Sequence, residues 1–131
     1  MSLFDAITKA KRVYVIGNGG SAANAIHIVN DLFSCGVKAQ SLTADVATLT
    51  AIANDFGYEH IFSRQLEVLG EPGDLLIALS GSGNSPNILR ALDVCKTTGI
   101  VTYAIIGDFG EAQAQARAHF TIRKGITMQD A

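Results

Sequence analysis

The chain has 131 residues, of which 48% are hydrophobic and 17% charged, and its formal net charge is −2. This length and composition predict one folded domain and exclude a disordered chain. The small negative charge gives no reason to expect nucleic acid or an anionic membrane as a partner, and no run reaches the ~20 apolar residues of a membrane span.

Helical and strand patterns alternate along the chain. The predicted helices cover residues 2–10, 21–33, 46–53, 60–69, 85–99 and 111–116. The predicted strands cover residues 11–16, 38–43, 75–79, 100–106 and 118–122. This alternation predicts an α/β fold, a flavodoxin-like three-layer sandwich with about five parallel strands in the order 2-1-3-4-5.

The start of the chain and its cysteines favour a cytoplasmic location. Residues 1–5 lack the basic and apolar regions of a signal peptide. Cys35 and Cys95 lie in predicted helices, far apart in sequence, and we interpret both as buried free thiols in a reducing compartment.

The first predicted strand runs into a glycine loop, Gly17–Ser21, that opens a helix. Backbone N–H groups at such a helix start bind anions, most often phosphate. An ordinary turn of an α/β domain is the alternative reading of this loop.

A second glycine-serine loop, Ser80–Ser85, follows the third predicted strand. Ser80, Ser82 and Ser85 carry hydroxyl donors, and the predicted strand order places them opposite Ser21. Neither loop contains lysine or arginine. Two such loops at one crevice favour a phosphate monoester held by neutral donors over the alternative in which the serines only cap helices.

The helix that begins near Ser21 carries two stripes at helical spacing. The predicted buried stripe contains Ala22, Ala25, Ile26, Val29 and Phe33. The predicted polar stripe contains Asn24, His27, Asp31 and Ser34. The i, i+4 spacing places His27 and Asp31 on one face, where they are a general base with its partner, two metal ligands, or a weak contact on a solvated face.

Five motifs, in order, resemble the sugar-isomerase (SIS) domain, and within that superfamily they most resemble the phosphoheptose isomerases. They are Gly17–Ser21, Asn54–Tyr58, Phe62–Gln65, Pro72–Asp74 and Ser80–Asn87, in a match from about Val13 to Thr121. The resemblance implies an aldose–ketose isomerase that converts sedoheptulose 7-phosphate to a heptose 7-phosphate for surface-polysaccharide biosynthesis. It also implies a homotetramer with sites between subunits, often with zinc, and no nucleotide cofactor.

The resemblance assigns roles to individual residues. Substrate binding is implied for Asn18, Gly19, Gly20, Ser21, Asn54, Asp55, Ser80, Gly81, Ser82, Ser85 and Gln129. Metal binding is implied for His27, Asp31 and Gln129, and catalysis for Asp31. Gly81 replaces the family's usual threonine, so one hydroxyl is missing.

Two departures from the family pattern leave other functions open. Asp31 is one methylene shorter than the family's glutamate, and the chain ends at Ala131, where the family continues into a long helix with a further histidine. We therefore expect a single SIS domain that lacks this helix. The alternatives are a non-catalytic SIS module that binds a phosphosugar or a protein partner, and another phosphosugar isomerase.

An apolar surplus predicts self-association as a dimer or tetramer. The stretch from Val46 to Leu69 holds more large apolar residues than one small sheet covers, and such a surplus often marks an interface. They are Leu49, Ile52, Phe56, Ile61, Phe62 and Leu66.

Overall fold

Five parallel strands form one sheet in the order β2-β1-β3-β4-β5. This computed structural model describes residues 1–107 and 112–124. The strands are β1 (Val13–Ile16), β2 (Ala39–Ser41), β3 (Leu75–Ser80), β4 (Val101–Gly107) and β5 (Phe120–Lys124). The helices are α1 (Leu3–Lys9), α2 (Gly20–Ser34), α3 (Val46–Phe56), α4 (Ser63–Leu69), α5 (Pro86–Thr98) and α6 (Gln113–Arg117), with a 3₁₀ turn at Tyr58–His60. The predicted fold class and strand order are confirmed.

Helices cover both faces of the sheet, which makes three layers. On one face, α3, α4 and α5 pack through Ile52, Leu66 and Leu92. On the other, α1 and α2 pack through Ala6 and Ala25. All six residues of β3 are buried because side chains on both sides of this central strand meet a helix layer.

The helix α3 extends three residues beyond its predicted end at Ala53. Asn54 and Asp55 continue the helix, and Gly57 stops it with a φ of +108°, a value that side chains other than glycine's rarely allow. The next predicted helix, residues 60–69, is shorter, because a 3₁₀ turn occupies Tyr58–His60 and α4 begins only at Ser63.

The buried stripe predicted for α2 is partly wrong. Ile26 and Phe33 are 45% and 70% exposed. Ile28 and Leu32 pack against the sheet with Ala25 and Val29 instead. The polar stripe is confirmed as exposed, since Asn24, His27, Asp31 and Ser34 all face outward.

The two cysteines differ in their surroundings. Cys95 is buried on α5, as predicted, and both thiols are free. Cys35 is exposed, so its predicted burial is wrong, because α2 ends at Ser34 and leaves Cys35 at the helix terminus. Among the described helices, none has the length and hydropathy to cross a membrane.

Candidate functional site

The two glycine-serine loops lie side by side at one edge of the sheet. β1 and β3 are paired neighbours, with Ile16 opposite Ala78, so the loops that leave them emerge together. Between them lies a cavity of about 180 Å³. We call it the loop cavity. It is lined by Asn18, Gly20, Ser21, Leu79, Ser80, Gly81 and Ser85.

The serine hydroxyls shape the second loop. The Oγ of Ser80 accepts the N–H of Gly83 at 3.0 Å, and the Oγ of Ser82 accepts the N–H of Asn84 at 3.1 Å. Because each oxygen acts as an acceptor in these bonds, each O–H proton is left to donate to another group. Ser80 is almost fully buried, whereas Ser82 is exposed and is not among the lining residues of the loop cavity.

Each of the two loops leads directly into the N-terminus of a helix. Gly19 precedes α2 with a φ of +53°, and Ser85 precedes α5, where Pro86 takes the first helical position. Neither preceding residue makes a side-chain capping hydrogen bond, so the hydroxyl of Ser85 does not serve as the predicted cap. First-turn N–H groups without a side-chain cap suit an anion, which the positive end of the helix dipole also attracts.

Two asparagine side chains join the two loops by reciprocal hydrogen bonds. The Nδ2 of Asn18 donates to the Oδ1 of Asn87 at 2.9 Å, and the Nδ2 of Asn87 donates to the Oδ1 of Asn18 at 2.8 Å. The hydroxyl of Tyr58 also donates to the Oδ1 of Asn18, at 3.2 Å. Asn87 and Tyr58 lie in two of the sequence motifs, but the sequence pattern indicated no role for either residue. Only the pairing of β1 with β3 brings residues 69 positions apart into contact.

A larger cavity of about 350 Å³ adjoins the loop cavity. The residues that line both are Ser21, Leu79, Ser80 and Gly81. Its other walls include Asn24 and His27 from α2. We call it the α2 cavity. A molecule whose phosphate occupies the loop cavity therefore has room to extend along α2 as far as His27.

His27 and Asp31 are in contact. The Nε2 of His27 lies 3.4 Å from the Oδ2 of Asp31, and the two side chains are 77% and 67% exposed. Asp31 is not among the lining residues of the α2 cavity. Imidazole and carboxylate are ligand types that zinc accepts, but a zinc site needs three or four ligands. Within residues 1–107 and 112–124, no group of three histidine, cysteine, aspartate or glutamate side chains forms, so the pair supplies two ligands.

The remaining predicted site residues lie apart from the two cavities. Asn54 and Asp55 are exposed on the last turn of α3, where the Nδ2 of Asn54 donates to the Oδ1 of Asp55 at 3.2 Å. Neither is among the residues that line the loop cavity or the α2 cavity. Gln129 lies outside the residues that the structure describes.

The SIS domain family model matches residues 1–107 of this chain. The chain belongs to the SIS domain family. Because this match covers most of the chain, the resemblance to the SIS family drawn from the sequence is confirmed. Two of the five motifs, Gly17–Ser21 and Ser80–Asn87, contribute residues to the loop cavity.

Proteins similar to this chain include phosphoheptose isomerases. The chain is 46% identical over 121 residues to the phosphoheptose isomerase of Aneurinibacillus thermoaerophilus. This alignment covers 82% of this chain and 61% of that protein. It is 32% identical to the solved phosphoheptose isomerases of Neisseria gonorrhoeae and Francisella tularensis, with TM-scores of 0.83 and 0.86. These matches cover 93% and 91% of this chain and 68% and 67% of those chains. The chain thus spans about three fifths of the length of its curated relative.

Proposed function

We propose that this protein is an aldose–ketose isomerase that converts sedoheptulose 7-phosphate to a heptose 7-phosphate. The observation that carries the proposal is the loop cavity, in which serine hydroxyls and two helix N-termini without side-chain caps converge. These are neutral donors, and helix N-termini with backbone N–H groups bind phosphate without a cationic side chain. The similarity to phosphoheptose isomerases supports the choice of sugar.

The phosphate would be held by the hydroxyls of Ser21, Ser80 and Ser85, which line the loop cavity, and by first-turn N–H groups. Asn18 would orient the sugar, because its carboxamide is fixed by Asn87. The carbon chain would then run through the α2 cavity toward His27. Such anchoring would bring the carbonyl end of the sugar near the polar stripe of α2 that contains His27.

The reaction moves one proton between C1 and C2. Asp31 would take the proton from C1 as the C2 carbonyl oxygen is protonated, which forms an enediol; loss of the O1 proton and return of a proton to C2 then give the aldehyde. His27 would hold the carboxylate in position. Alternatively, His27 and Asp31 would bind zinc as two of its ligands, and a bound zinc ion polarises a sugar carbonyl.

Two experiments test this function. Isomerisation of sedoheptulose 7-phosphate is measured with and without added zinc, and phosphate-ester binding is measured by titration. We expect turnover, and we expect Ser80→Ala and Ser85→Ala each to weaken binding by about tenfold, since each removes a hydrogen bond to a charged group. An anion that binds elsewhere, with these serines turned to protein, would contradict the site.

A non-catalytic phosphosugar-binding module is the second candidate. The exposure of His27 and Asp31 favours it, because solvent surrounds both groups and no third metal ligand joins them in the described part of the chain. The two functions differ in one measurement. A module of this kind binds sugar phosphate with an intact loop cavity but shows no turnover at any zinc concentration.

Self-association and a cytoplasmic location complete the proposal. Large apolar side chains lie exposed on several helices, including Phe4, Phe33, Val46, Phe56 and Val68. Exposed apolar surface of this kind is typical of subunit interfaces. A second copy would also offer further ligands to the exposed His27–Asp31 pair.

A further inference from the structure

The second glycine-serine loop, Ser80–Ser85, is hydrogen-bonded to the end of β4 and to the start of α6; we call it the serine loop. The N–H of Gly107 donates to the carbonyl of Gly81 at 2.9 Å, and the N–H of Ala114 donates to the carbonyl of Gly83 at 2.9 Å. The third bond comes from a side chain, because the Oδ1 of Asn84 accepts the N–H of Gln113 at 2.8 Å. These bonds fasten three successive parts of the loop to β4 and α6.

Close packing accompanies these hydrogen bonds. Gly83 is buried with a φ of +68°, and a Cβ added there would lie 2.5 Å from the Cβ of Ala112. Ala114 is fully buried beneath the loop. The helix α6 is fastened in turn to α5, since the Nε of Arg117 lies 3.1 Å from the Oδ1 of Asp93. The serine loop therefore packs against α6, which is itself held to α5.

Asn84 forms hydrogen bonds both within the serine loop and to α6. Its backbone N–H donates to the Oγ of Ser82, and its side chain accepts the first N–H of α6. The residue is exposed and is not among the lining residues of the loop cavity. Its contacts are with the groups that set the loop's shape.

We propose that Asn84 is a positioning residue, which ties the serine loop to α6 and thereby holds Ser80 and Gly81, which line the loop cavity, in the arrangement that binds a phosphate group. This inference rests on the proposed function of the loop cavity. Without the tie, the loop spends less time in the binding arrangement, and the apparent affinity falls in proportion to the population that remains.

The hydrogen bond between the Gln113 N–H and the Asn84 side chain can be removed by changing either residue. Asn84→Ala removes the acceptor oxygen. Gln113→Pro removes the donor N–H at the first position of α6, where proline is favoured, and the extended backbone of Ala112 is compatible with a following proline. Gln113→Ala is the matched control, because it deletes the same side chain, with its contact to Arg117, and keeps the N–H.

The probe is inorganic phosphate, titrated by NMR. We expect Asn84→Ala and Gln113→Pro each to raise the dissociation constant about five- to tenfold, the effect of one net hydrogen bond. The double variant should be no weaker than either single variant, because both cut the same bond. Gln113→Ala should bind as the wild type does.

Amide hydrogen exchange gives a second readout that a general loss of stability would not reproduce. Phosphate should slow exchange at the amides of Gln113 and Ala114 in the wild type, since coupling between binding and docking is reciprocal. In Asn84→Ala this protection should be lost at Ala114, whereas amides of β3 should exchange as before.

The outcomes separate this inference from the proposed function. Wild-type affinity in both Asn84→Ala and Gln113→Pro would overturn the role of Asn84 and leave the phosphate site standing. Strictly additive effects of the two changes would also overturn it. Absence of phosphate binding by the wild type would overturn the proposed function, and the inference with it.

Discussion

Asn87 contributes to stability and to the site through the same hydrogen bonds. It is only 2% exposed, and it exchanges two hydrogen bonds with Asn18 across the loops. A buried amide that loses its partners keeps the cost of desolvation without the compensating bonds. The two loops are thus held at a fixed distance before any ligand binds, which lowers the cost of ordering the site.

We predict that Asn87→Ala lowers the free energy of unfolding by about 1–3 kcal/mol, since it leaves the buried part of the Asn18 amide with fewer partners. It should also weaken phosphate binding. Urea denaturation and phosphate titration measure the two effects. Asn30→Ala, on the exposed face of α2, is the control; it should leave binding unchanged and should not lower stability, because alanine is the better helix former. Unchanged stability in Asn87→Ala would show that the amide pair contributes nothing net.

The two cysteines should react at very different rates. Burial raises the pKa of the Cys95 thiol to about 12, so the reactive thiolate is scarce at neutral pH. Cys35 is exposed at the end of α2. We expect iodoacetamide to modify Cys35 in the native protein and Cys95 only after denaturation, as followed by peptide mass spectrometry. Equal labelling of both in the native protein would contradict the burial of Cys95.

Catalysis should depend on Asp31 if the chain is the isomerase that we propose. Asp31→Asn preserves size and removes basicity, so turnover should fall by about 10²- to 10⁴-fold while phosphate binding survives. Asp31→Glu restores the methylene found in the family's glutamate and should raise turnover if reach limits the rate. Steady-state kinetics with sedoheptulose 7-phosphate measures both. Full turnover in Asp31→Asn would exclude this residue from proton transfer.

Among the elements, β3 and α5 were predictable and the face of α2 was not. β3 is a continuous apolar run between turn residues, and α5 begins with Ser85-Pro86 and ends at Gly99, whose φ is +75°. In α2, two overlapping sets of apolar residues have helical spacing. The spacing alone does not show which of the two sets faces the sheet, because packing against the neighbouring strands and α1 determines the buried face of α2.

The helix α3 carries a capping residue that titrates. The carboxylate of Asp45 accepts the N–H of Thr48 at 3.2 Å and its hydroxyl at 2.9 Å. These bonds lower the pKa of Asp45 below its ordinary value of 3.8, with the bond from the Thr48 N–H as the main cause. The charged form is thus favoured by folding, so its contribution is present above that ordinary value and is lost as pH falls through the lowered pKa.

We predict that the wild type loses stability relative to Asp45→Asn as pH falls from about 6 to about 2.5, because asparagine still caps the helix but does not titrate. Urea denaturation across this range gives the difference in unfolding free energy. Asp55→Asn, at the opposite end of α3, is the control variant. A difference between wild type and Asp45→Asn that stays constant with pH would contradict the capping role of the charge.

At the scale of the whole molecule, the edge of the sheet that carries the loop cavity was predictable from the sequence, but the exposed apolar surface was not. Strand order alone brings the two glycine-serine loops together, so the loop cavity followed from topology. The surplus of apolar residues in the stretch from Val46 to Leu69 predicted an exposed interface, but most of these residues are buried. Ile52, Ile61, Phe62 and Leu66 are buried and Leu49 is partly buried, because α3 and α4 cover one face of the sheet; of the six, only Phe56 is exposed.

The exposed apolar residues of α2 provide the sharpest test of self-association. Ile26 and Phe33 are seven residues apart, so they lie on one side of the helix, next to the stripe that carries His27 and Asp31. We predict that the wild type sediments as a dimer or larger species at micromolar concentration, and that Phe33→Glu shifts it toward monomer with an unchanged circular dichroism spectrum, because a buried unpaired charge is costly.

Val68→Glu, at a similarly exposed apolar position on α4 in the opposite layer, is the matched control. Dissociation by Val68→Glu alone would move the interface to the other face of the sheet, and a monomeric wild type at every concentration would contradict self-association itself.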